Sequence, residues 1–437
     1  MLLRFRVANH RSIRDAMELS MTTASFSGSR PVDNDWHSVT NRVAGIFGAN
    51  ASGKTNILDA LDFVRRALRE SFHWSEFRRY PFLLDEDSGN RPSTYEVDFL
   101  SQGVRYSYGF EAGDSGVESE WLYSYPEGRK RMLFERGAEV GGIHFGRHLK
   151  GDNRRIFKVV EPSNLFLSVA AHWKHPELAR IHRHLTRRFE YVPFSEQQQA
   201  WRIRSIRKWI EDDSVRLKAQ SLLKFADLGI LRISAESNEI PEGRLESIRQ
   251  VYAAMKSVIG SLTADDTDEA SMEDFIAEQQ REIGFWHSTG DGGEYRLDIS
   301  RESAGTVSWL SLALPALRTI ESGGVFAVDE IDASLHPKLV AAMIELFKSP
   351  EYNKSGAQLI FASHDTSLMG HLSGGVLDRE DVWFTEKDRD GATDLYPLTD
   401  FSVKSDHNIE RRYLSGRYGS VPQISWSEFQ QALQVEA

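Results

Sequence analysis

Gly48-Ala49-Asn50-Ala51-Ser52-Gly53-Lys54-Thr55 fits the pattern G-x-x-x-x-G-K-[ST], and its neighbours give it meaning. Before it, Val43-Ala44-Gly45-Ile46-Phe47 is a short apolar run of the kind that forms a buried strand. After it, Ile57, Leu58, Leu61, Val64 and Leu68 recur at helical spacing. A strand, a glycine loop and a helix in that order is the context in which this motif cradles phosphate. Glycines at both ends let the backbone curl so that successive N–H groups face phosphate oxygens, and the helix N-terminus adds partial positive charge. Lys54 would reach the β- and γ-phosphates and Thr55 would offer its hydroxyl to Mg²⁺. The candidate nucleotide-binding set is therefore Gly48, Ala49, Asn50, Ala51, Ser52, Gly53, Lys54, Thr55 and Asn56, with ATP and Mg²⁺ as the expected cofactors.

Two later strands carry the matching chemistry. Gly324-Val325-Phe326-Ala327-Val328-Asp329-Glu330 is an apolar run ending in two acids. Asp329 would hold Mg²⁺ through water, opposite Thr55. Glu330, one residue on, would face the other way on an extended strand end and polarise the attacking water. Acidic turns after buried strands are common, so the pairing with the phosphate loop is what gives these acids weight. Gln358-Leu359-Ile360-Phe361-Ala362-Ser363-His364 is a third such run, and it delivers a histidine to the carboxyl edge of the sheet, where ligands bind. A lone histidine is more often structural. Three strand ends carrying Lys-Thr, Asp-Glu and His make His364 a candidate γ-phosphate contact.

The 437 residues carry 40% hydrophobic and 27% charged side chains, the composition of a globular protein, and allow one large α/β domain with an insertion, or two domains. No apolar stretch is long enough to cross a bilayer, and Met1 to Val7 alternates like a strand rather than a signal peptide, so a cytoplasmic location without membrane contact is expected. The absence of cysteine excludes disulfides and thiolate metal sites, and a net charge of −11 argues against coating nucleic acid through the overall field.

The spacing predicts an antiparallel pair from the first strand and Met17 to Met21, and a hairpin over Tyr95 to Phe110 around Ser101-Gln102-Gly103. From about Pro162 to Met272 the pattern turns helical, with a capping box at Ser195-Glu196-Gln197-Gln198 and an acidic loop at Asp265 to Glu269. The expected organisation is a mixed-sheet N-terminal lobe over 1–160 with an antiparallel subdomain, a helical insertion over 161–280, and a C-terminal lobe over 281–437.

On these motifs the chain resembles the SMC/RecF/OLD branch of ABC-type P-loop ATPases, over the block to about Phe110 and the block from about Tyr295 to Asp365. Asn9-His10-Arg11-Ser12 looks like the family's Asn-Phe-Arg-Ser, with histidine for the aromatic, which makes Arg11 a candidate nucleotide contact. Ser303-Ala304-Gly305-Thr306 stands where the family has its signature loop, departing from the fuller Leu-Ser-Gly-Gly-Gln form. Ser303 and Gly305 would then contact ATP held by the opposite subunit, which implies a homodimer or higher homo-oligomer with ATP between heads. Asp332 to Pro337 looks like the D-loop of the same interface. The Q-loop glutamine has no clear counterpart, since Gln102 falls in a hairpin turn. The absence of Cys-x-x-Cys rules out the zinc hook of some relatives.

Within that branch the resemblance is nearest to stand-alone prokaryotic phage-defence ATPases, the RloA-like group that includes the AriA ATPase of PARIS. It rests on the short insertion, on Asp329 to Pro337, and on the tail Tyr413-Leu414-Ser415-Gly416-Arg417-Tyr418-Gly419-Ser420-Val421-Pro422. The tail's glycines and aromatics by themselves indicate an ordered, packed segment. The resemblance implies a nucleotide-driven switch or sensor that controls a separate effector, a toxin or nuclease. The alternative is a DNA-repair or chromosome-maintenance ATPase that clamps DNA. OLD-type nucleases add a Toprim domain, for which the stretch after His364 is short, and Asp388-Arg389-Asp390 reads as a charged turn between strands. In the insertion, Arg183, Arg187 and Arg188, then Trp201, Arg202, Arg204, Arg207, Lys208 and Trp209, form a basic cluster with interleaved aromatics that would suit a phosphate backbone. The stripe of Trp201, Ile203, Ile206 and Ile210 favours an amphipathic arm packing on a partner, and nucleic-acid binding stays open.

Overall fold

The computed structural model describes residues 1–434 except 27, 29, 138–139, 195, 227, 238–239, 261–271, 371–373, 404–406 and 423–424. Ser195 of the expected capping box and the acidic stretch 265–269 lie outside the described residues. The chain divides into two units: residues 1–193, 318–332 and 340–437 form the first, and residues 194–317 with 333–339 the second.

The first unit holds two sheets. One contains β3 (Val43–Gly48), β9 (Phe189–Val192), β13 (Val325–Val328), β14 (Gln358–Ser363), β15 (Val382–Lys387) and β16 (Thr393–Pro397) in the order β16-β15-β3-β14-β13-β9. All neighbours pair in parallel except the edge strand β16. Every residue of β3, β13 and β14 is buried, which is why these strands read as unbroken apolar runs. Helix α1 (Lys54–Glu70) leaves β3 through the glycine loop and buries Ile57, Leu58, Leu61, Val64 and Leu68, the residues whose spacing predicts it.

The other sheet is antiparallel, ordered β2-β1-β4-β5-β6-β7-β8. Its strands are β1 (Leu2–Ala8), β2 (Met17–Ser20), β4 (Ser93–Ser101), β5 (Val104–Gly113), β6 (Gly116–Tyr125), β7 (Arg131–Gly137) and β8 (Gly142–Phe145). Gln102 and Gly103 turn the β4–β5 hairpin at φ 50° and 74°, the left-handed pair that matches the twist of the flanking strands. Gln358, fully buried at the start of β14, joins the two sheets: its Oε1 accepts from the Leu2 N–H at 2.6 Å, and its Nε2 donates to the Leu2 carbonyl at 2.9 Å.

The segment from 161 to 193, read from sequence as the start of the insertion, belongs to the first unit. It contains α3 (Phe166–His172) and α4 (Leu178–Arg187), preceded by the short α2 (Asn153–Phe157), and then β9, which extends the parallel sheet beside β13. Burial of Glu120 on β6 fixes this packing. Its carboxylate accepts from the N–H groups of Phe166 (2.6 Å) and Leu167 (3.0 Å), where α3 begins, and from the Tyr108 hydroxyl (3.1 Å), with Arg136 at 3.6 Å. Burial pushes its carboxyl above the usual range, against the pull of Arg136 and the N–H donors. Glu120→Ala is expected to destabilise the first unit by roughly 3–5 kcal/mol, because Arg136 and three donors lose their buried acceptor. Denaturant unfolding compared with wild type and Glu120→Gln checks this.

The second unit is not purely helical. Besides α5 (Glu196–Trp209), α6 (Asp213–Phe225), α7 (Glu242–Gly260) and α8 (Met272–Gln280), it holds an antiparallel sheet of β10 (Ile230–Ser237), β11 (Arg281–Ser288) and β12 (Glu294–Asp298). Ile206 and Ile210 are buried while Arg204 and Lys208 are exposed. Of the stripe expected to pack on a partner, Ile206 and Ile210 are thus covered by this chain itself and Ile203 is half-buried, while the side chain of Trp201 lies outside those described. Two helices, α9 (Ala304–Ser322) and α10 (Pro337–Lys348), run from the second unit's residues into the first's. Among the described residues no helix is long and apolar enough to cross a membrane.

Candidate functional site

β3 ends at Gly48, and the chain turns through Ala51 at φ 62° and Gly53 at φ 107° before α1 starts at Lys54. Lys54 is 5% exposed, and its ammonium donates to the carbonyls of Gly48 at 2.9 Å and Ala49 at 3.0 Å, folding back over the loop it follows. Burial pushes its pKa down to about 8, although the carboxylates of Asp329, Glu330 and Asp332 favour the charged form.

β13 delivers Asp329, 6% exposed, to the same edge. The Thr55 hydroxyl donates to its two carboxylate oxygens at 3.0 and 3.2 Å, joining residues that are 274 positions apart. Burial pushes the Asp329 carboxyl up to about 6, helped by the like charge of Glu330 and opposed by Thr55 and Lys54. Glu330 does not continue the strand. It takes φ 50°, so it turns the chain at the strand end, where an extended residue was expected. Its charge acts on Asp329, Lys54 and His364 alike, which places it in the same electrostatic neighbourhood.

β14 brings His364. Its Nδ1 lies 3.5 Å from the Lys54 ammonium, and burial together with that cation holds the imidazole below its ordinary pKa, hence neutral near pH 7. The Asp332 carboxylate accepts from the Ser363 hydroxyl at 2.6 Å and the His364 N–H at 3.3 Å.

Arg11, at φ 50°, donates from Nε to Asp59 of α1 at 2.6 Å and sits over the Tyr80 ring at 5.1 Å. The fully buried His10 bonds the same Asp59 carboxylate at 3.0 Å and the Tyr95 hydroxyl at 2.8 Å, which explains how histidine occupies the place of an aromatic. Ser12 accepts from the Asn56 amide at 2.6 Å and so ties this segment to the first turn of α1.

Ser303 and Gly305 belong to the second unit. The Ser303 hydroxyl accepts from the Thr306 N–H at 3.1 Å, the geometry of a cap on α9, and a Cβ on Gly305 would meet the Ser334 carbonyl at 3.2 Å. Asp388 and Asp390 lie in the turn between β15 and β16, each paired with Arg14.

Sequence reasoning passed over Thr385 and Thr393. They lie at the first unit's β15–β16 edge, and their hydroxyls bond Ser52: Thr385 Oγ1 meets Ser52 Oγ at 2.6 Å, and Thr393 donates to the Ser52 carbonyl at 2.8 Å. Threonines at strand positions look like ordinary strand residues, so no local pattern could have singled them out.

The donor set suits hard, anionic chemistry. A threonine hydroxyl and a carboxylate are the oxygen ligands Mg²⁺ prefers.

A family model described as "AAA domain, putative AbiEii toxin, Type IV TA system" matches residues 43–370. Among solved structures, an SmcHead bound to the C-winged helix domain of ScpA is 15% identical with a TM-score of 0.40, covering 94% of this chain and 99% of that one. The SMC head domain from Thermotoga maritima is 14% identical with a TM-score of 0.39, covering 92% and 99%. An Smc head domain with an extended coiled coil, bound to the C-terminal domain of ScpA derived from Pyrococcus furiosus, is 14% identical with a TM-score of 0.37, covering 91% and 97%. No curated protein matches the sequence. A match over three quarters of the chain, with the phosphate loop and the Asp329 strand inside it, shows that the chain belongs to the AAA-domain family of putative AbiEii-type toxins of type IV TA systems.

Proposed function

We propose that this chain is a Mg²⁺-dependent, ABC-type ATPase of the SMC-like kind whose nucleotide state switches a separate effector, a toxin or nuclease, in defence against phage. The observation that carries the ATPase reading is the Thr55–Asp329 hydrogen bond, flanked by Lys54 and His364. In this reading the loop N–H groups of Gly48 to Thr55 and the Lys54 ammonium hold the phosphates, with Arg11 and Asn56 beside them. Thr55 and Asp329 hold Mg²⁺, which when bound neutralises phosphate charge. Glu330 accepts a proton from the attacking water, and His364 contacts the γ-phosphate. Ser303 and Gly305 of one subunit complete the site of another, so that ATP binding assembles heads and hydrolysis releases them. The AbiEii description of the family supports the defence setting.

The test is the mass of the purified protein in solution with and without ATP and Mg²⁺, alongside phosphate release. Turnover with an ATP-dependent rise in mass is expected. No turnover and masses indifferent to nucleotide would remove the reading. The competing role, clamping DNA, draws on the exposure of Arg204 and Lys208 on α5. DNA-stimulated turnover lost on charge reversal at Arg204 and Arg207 would favour it, whereas turnover indifferent to DNA and a co-purifying effector favours defence.

The acid on Asp329 gives a pH prediction. A carboxyl with a pKa pushed up to about 6 is protonated below that value, so its proton competes with the cation. The Mg²⁺ affinity of the nucleotide-bound protein is expected to fall about tenfold for each unit of pH below 6 and to level off above 7, as read by Mg²⁺ titration at fixed ADP.

A further inference from the structure

The tail Tyr413 to Pro422 is a motif that the nucleotide site leaves unexplained. The structure packs it within the first unit against the end of β15. The Tyr413 hydroxyl donates to the Ser420 carbonyl at 2.9 Å, and Tyr413 and Tyr418 both stack on Phe384, with ring centroids 5.3 and 5.6 Å away. These contacts hold Ser420 in the left-handed region, at φ 63° and 2% exposed. Its hydroxyl donates to the Thr385 carbonyl at 2.5 Å. The same hydroxyl also lies 3.5 Å from the Phe47 carbonyl, the last one before the phosphate loop, so a residue held in a strained conformation places its side chain on both strands that flank the loop.

The next bonds reach the loop itself. Thr385 is fully buried; its hydroxyl meets Ser52 Oγ at 2.6 Å and the Phe47 carbonyl at 3.4 Å. On the other side of the loop, Thr393 bonds the Ser52 carbonyl at 2.8 Å and Ser12 Oγ at 2.7 Å. The two threonines also press on the two glycines that open and close the loop. A Cβ on Gly48 would lie 2.5 Å from Thr385 Oγ1, and one on Gly53 would lie 2.1 Å from Thr393 Oγ1. The β15–β16 edge thus meets the loop at its first glycine, its last glycine and the serine between them.

We infer that Thr385 and Thr393 are positioning residues that bracket the phosphate loop, and that the C-terminal tail sets the bracket through Ser420. This rests on the ATPase reading and goes beyond it: the phosphate-binding conformation of residues 48–53 is imposed by a hairpin and tail more than 300 positions downstream. Buried hydroxyls are costly to leave unpaired, so the chain Ser420–Thr385–Ser52 behaves as one unit, and loosening either end loosens the loop.

The test is equilibrium binding of ADP with Mg²⁺ to the full chain, with thermal unfolding in parallel, for wild type, Thr385→Val, Thr385→Ser, Thr393→Val and Ser420→Ala. Valine keeps the volume of threonine and removes the hydroxyl. Thr385→Val and Thr393→Val are expected to bind about tenfold more weakly, Thr385→Ser within about twofold of wild type, and Ser420→Ala several-fold more weakly although it touches no loop atom. Folded valine variants with wild-type affinity would overturn the bracket while leaving the ATPase reading intact. Should the valine variants not fold, Ser420→Ala and Thr385→Ser decide: equal affinity in both and in wild type overturns it. A wild-type protein that binds no nucleotide would overturn both readings together.

Discussion

Lys54→Ala is expected to weaken ATP binding by at least about 10²-fold and to bring phosphate release to background. The buried ammonium donates to the Gly48 and Ala49 carbonyls and lies 3.5 Å from His364 Nδ1, and in the proposed reading it turns these donors to the phosphates. A charged hydrogen bond contributes about 1.5–3 kcal/mol, and each 1.4 kcal/mol is a factor of ten in affinity. The charge has a second role. With its pKa pushed down to about 8, Lys54 is poised to be held fully charged by incoming phosphates, so nucleotide binding takes up proton near pH 8. Lys54→Arg keeps the charge but places a planar fork where a compact ammonium sits, and is expected to stay impaired. Titration calorimetry in two buffers of different ionisation enthalpy reads both effects. Affinity within threefold of wild type in Lys54→Ala would remove the lysine from the site.

Glu330→Gln is expected to act on turnover instead of affinity, lowering it by about 10²–10³-fold, the range lost with a general base. Affinity should hold or improve, because the Glu330 charge helps to raise the Asp329 carboxyl, and its removal eases the ionisation that the cation requires. Unhydrolysed ATP then accumulates on the protein, and the ATP-dependent assembly proposed above persists long enough to be weighed. A variant that hydrolyses at the wild-type rate would move the base to another residue.

The contrast between the two substitutions mirrors what the sequence could and could not convey. β3, β13 and β14 are buried on both faces and therefore announce themselves as apolar runs, and the glycine pattern between β3 and α1 is a local consequence of local geometry. The residues those runs deliver, Lys54, Thr55, Asp329 and His364, are brought to one edge. β9 is different: Phe189-Glu190-Tyr191-Val192 is four residues next to arginines, and it is a strand because β13 offers it an edge, a fact of tertiary pairing. The same holds for β10 and β11, which two helices separate in sequence, whereas the alternation from Tyr295 to Ile299 does read as a strand and overlaps β12. Glu330 misled for another reason, since a residue at φ 50° belongs to a turn, and the neighbouring apolar run gave no sign of where the strand would stop. Thr385 and Thr393 carry no pattern at all, because their loop partner Ser52 lies more than 300 positions away, and Ser420 sits in a tail whose composition indicates packing but not what it packs against.

The Gln358 clasp on Leu2 has a consequence for how a ribosome must deliver this molecule. The first strand emerges at once, yet the side chain that closes both of Leu2's backbone groups follows 356 residues later. At roughly 5–20 residues per second the N-terminal strand waits on the order of 20–70 s for it. β3 waits likewise, since both of its neighbours, β14 and β15, are made near the end. The antiparallel strands β4 to β8 follow one another directly and can zip as they appear, so the nascent chain carries a finished sheet beside an unpaired, wholly apolar β3. A chain stalled or truncated before residue 358 presents that strand to solvent, and is a natural client for chaperones and proteases.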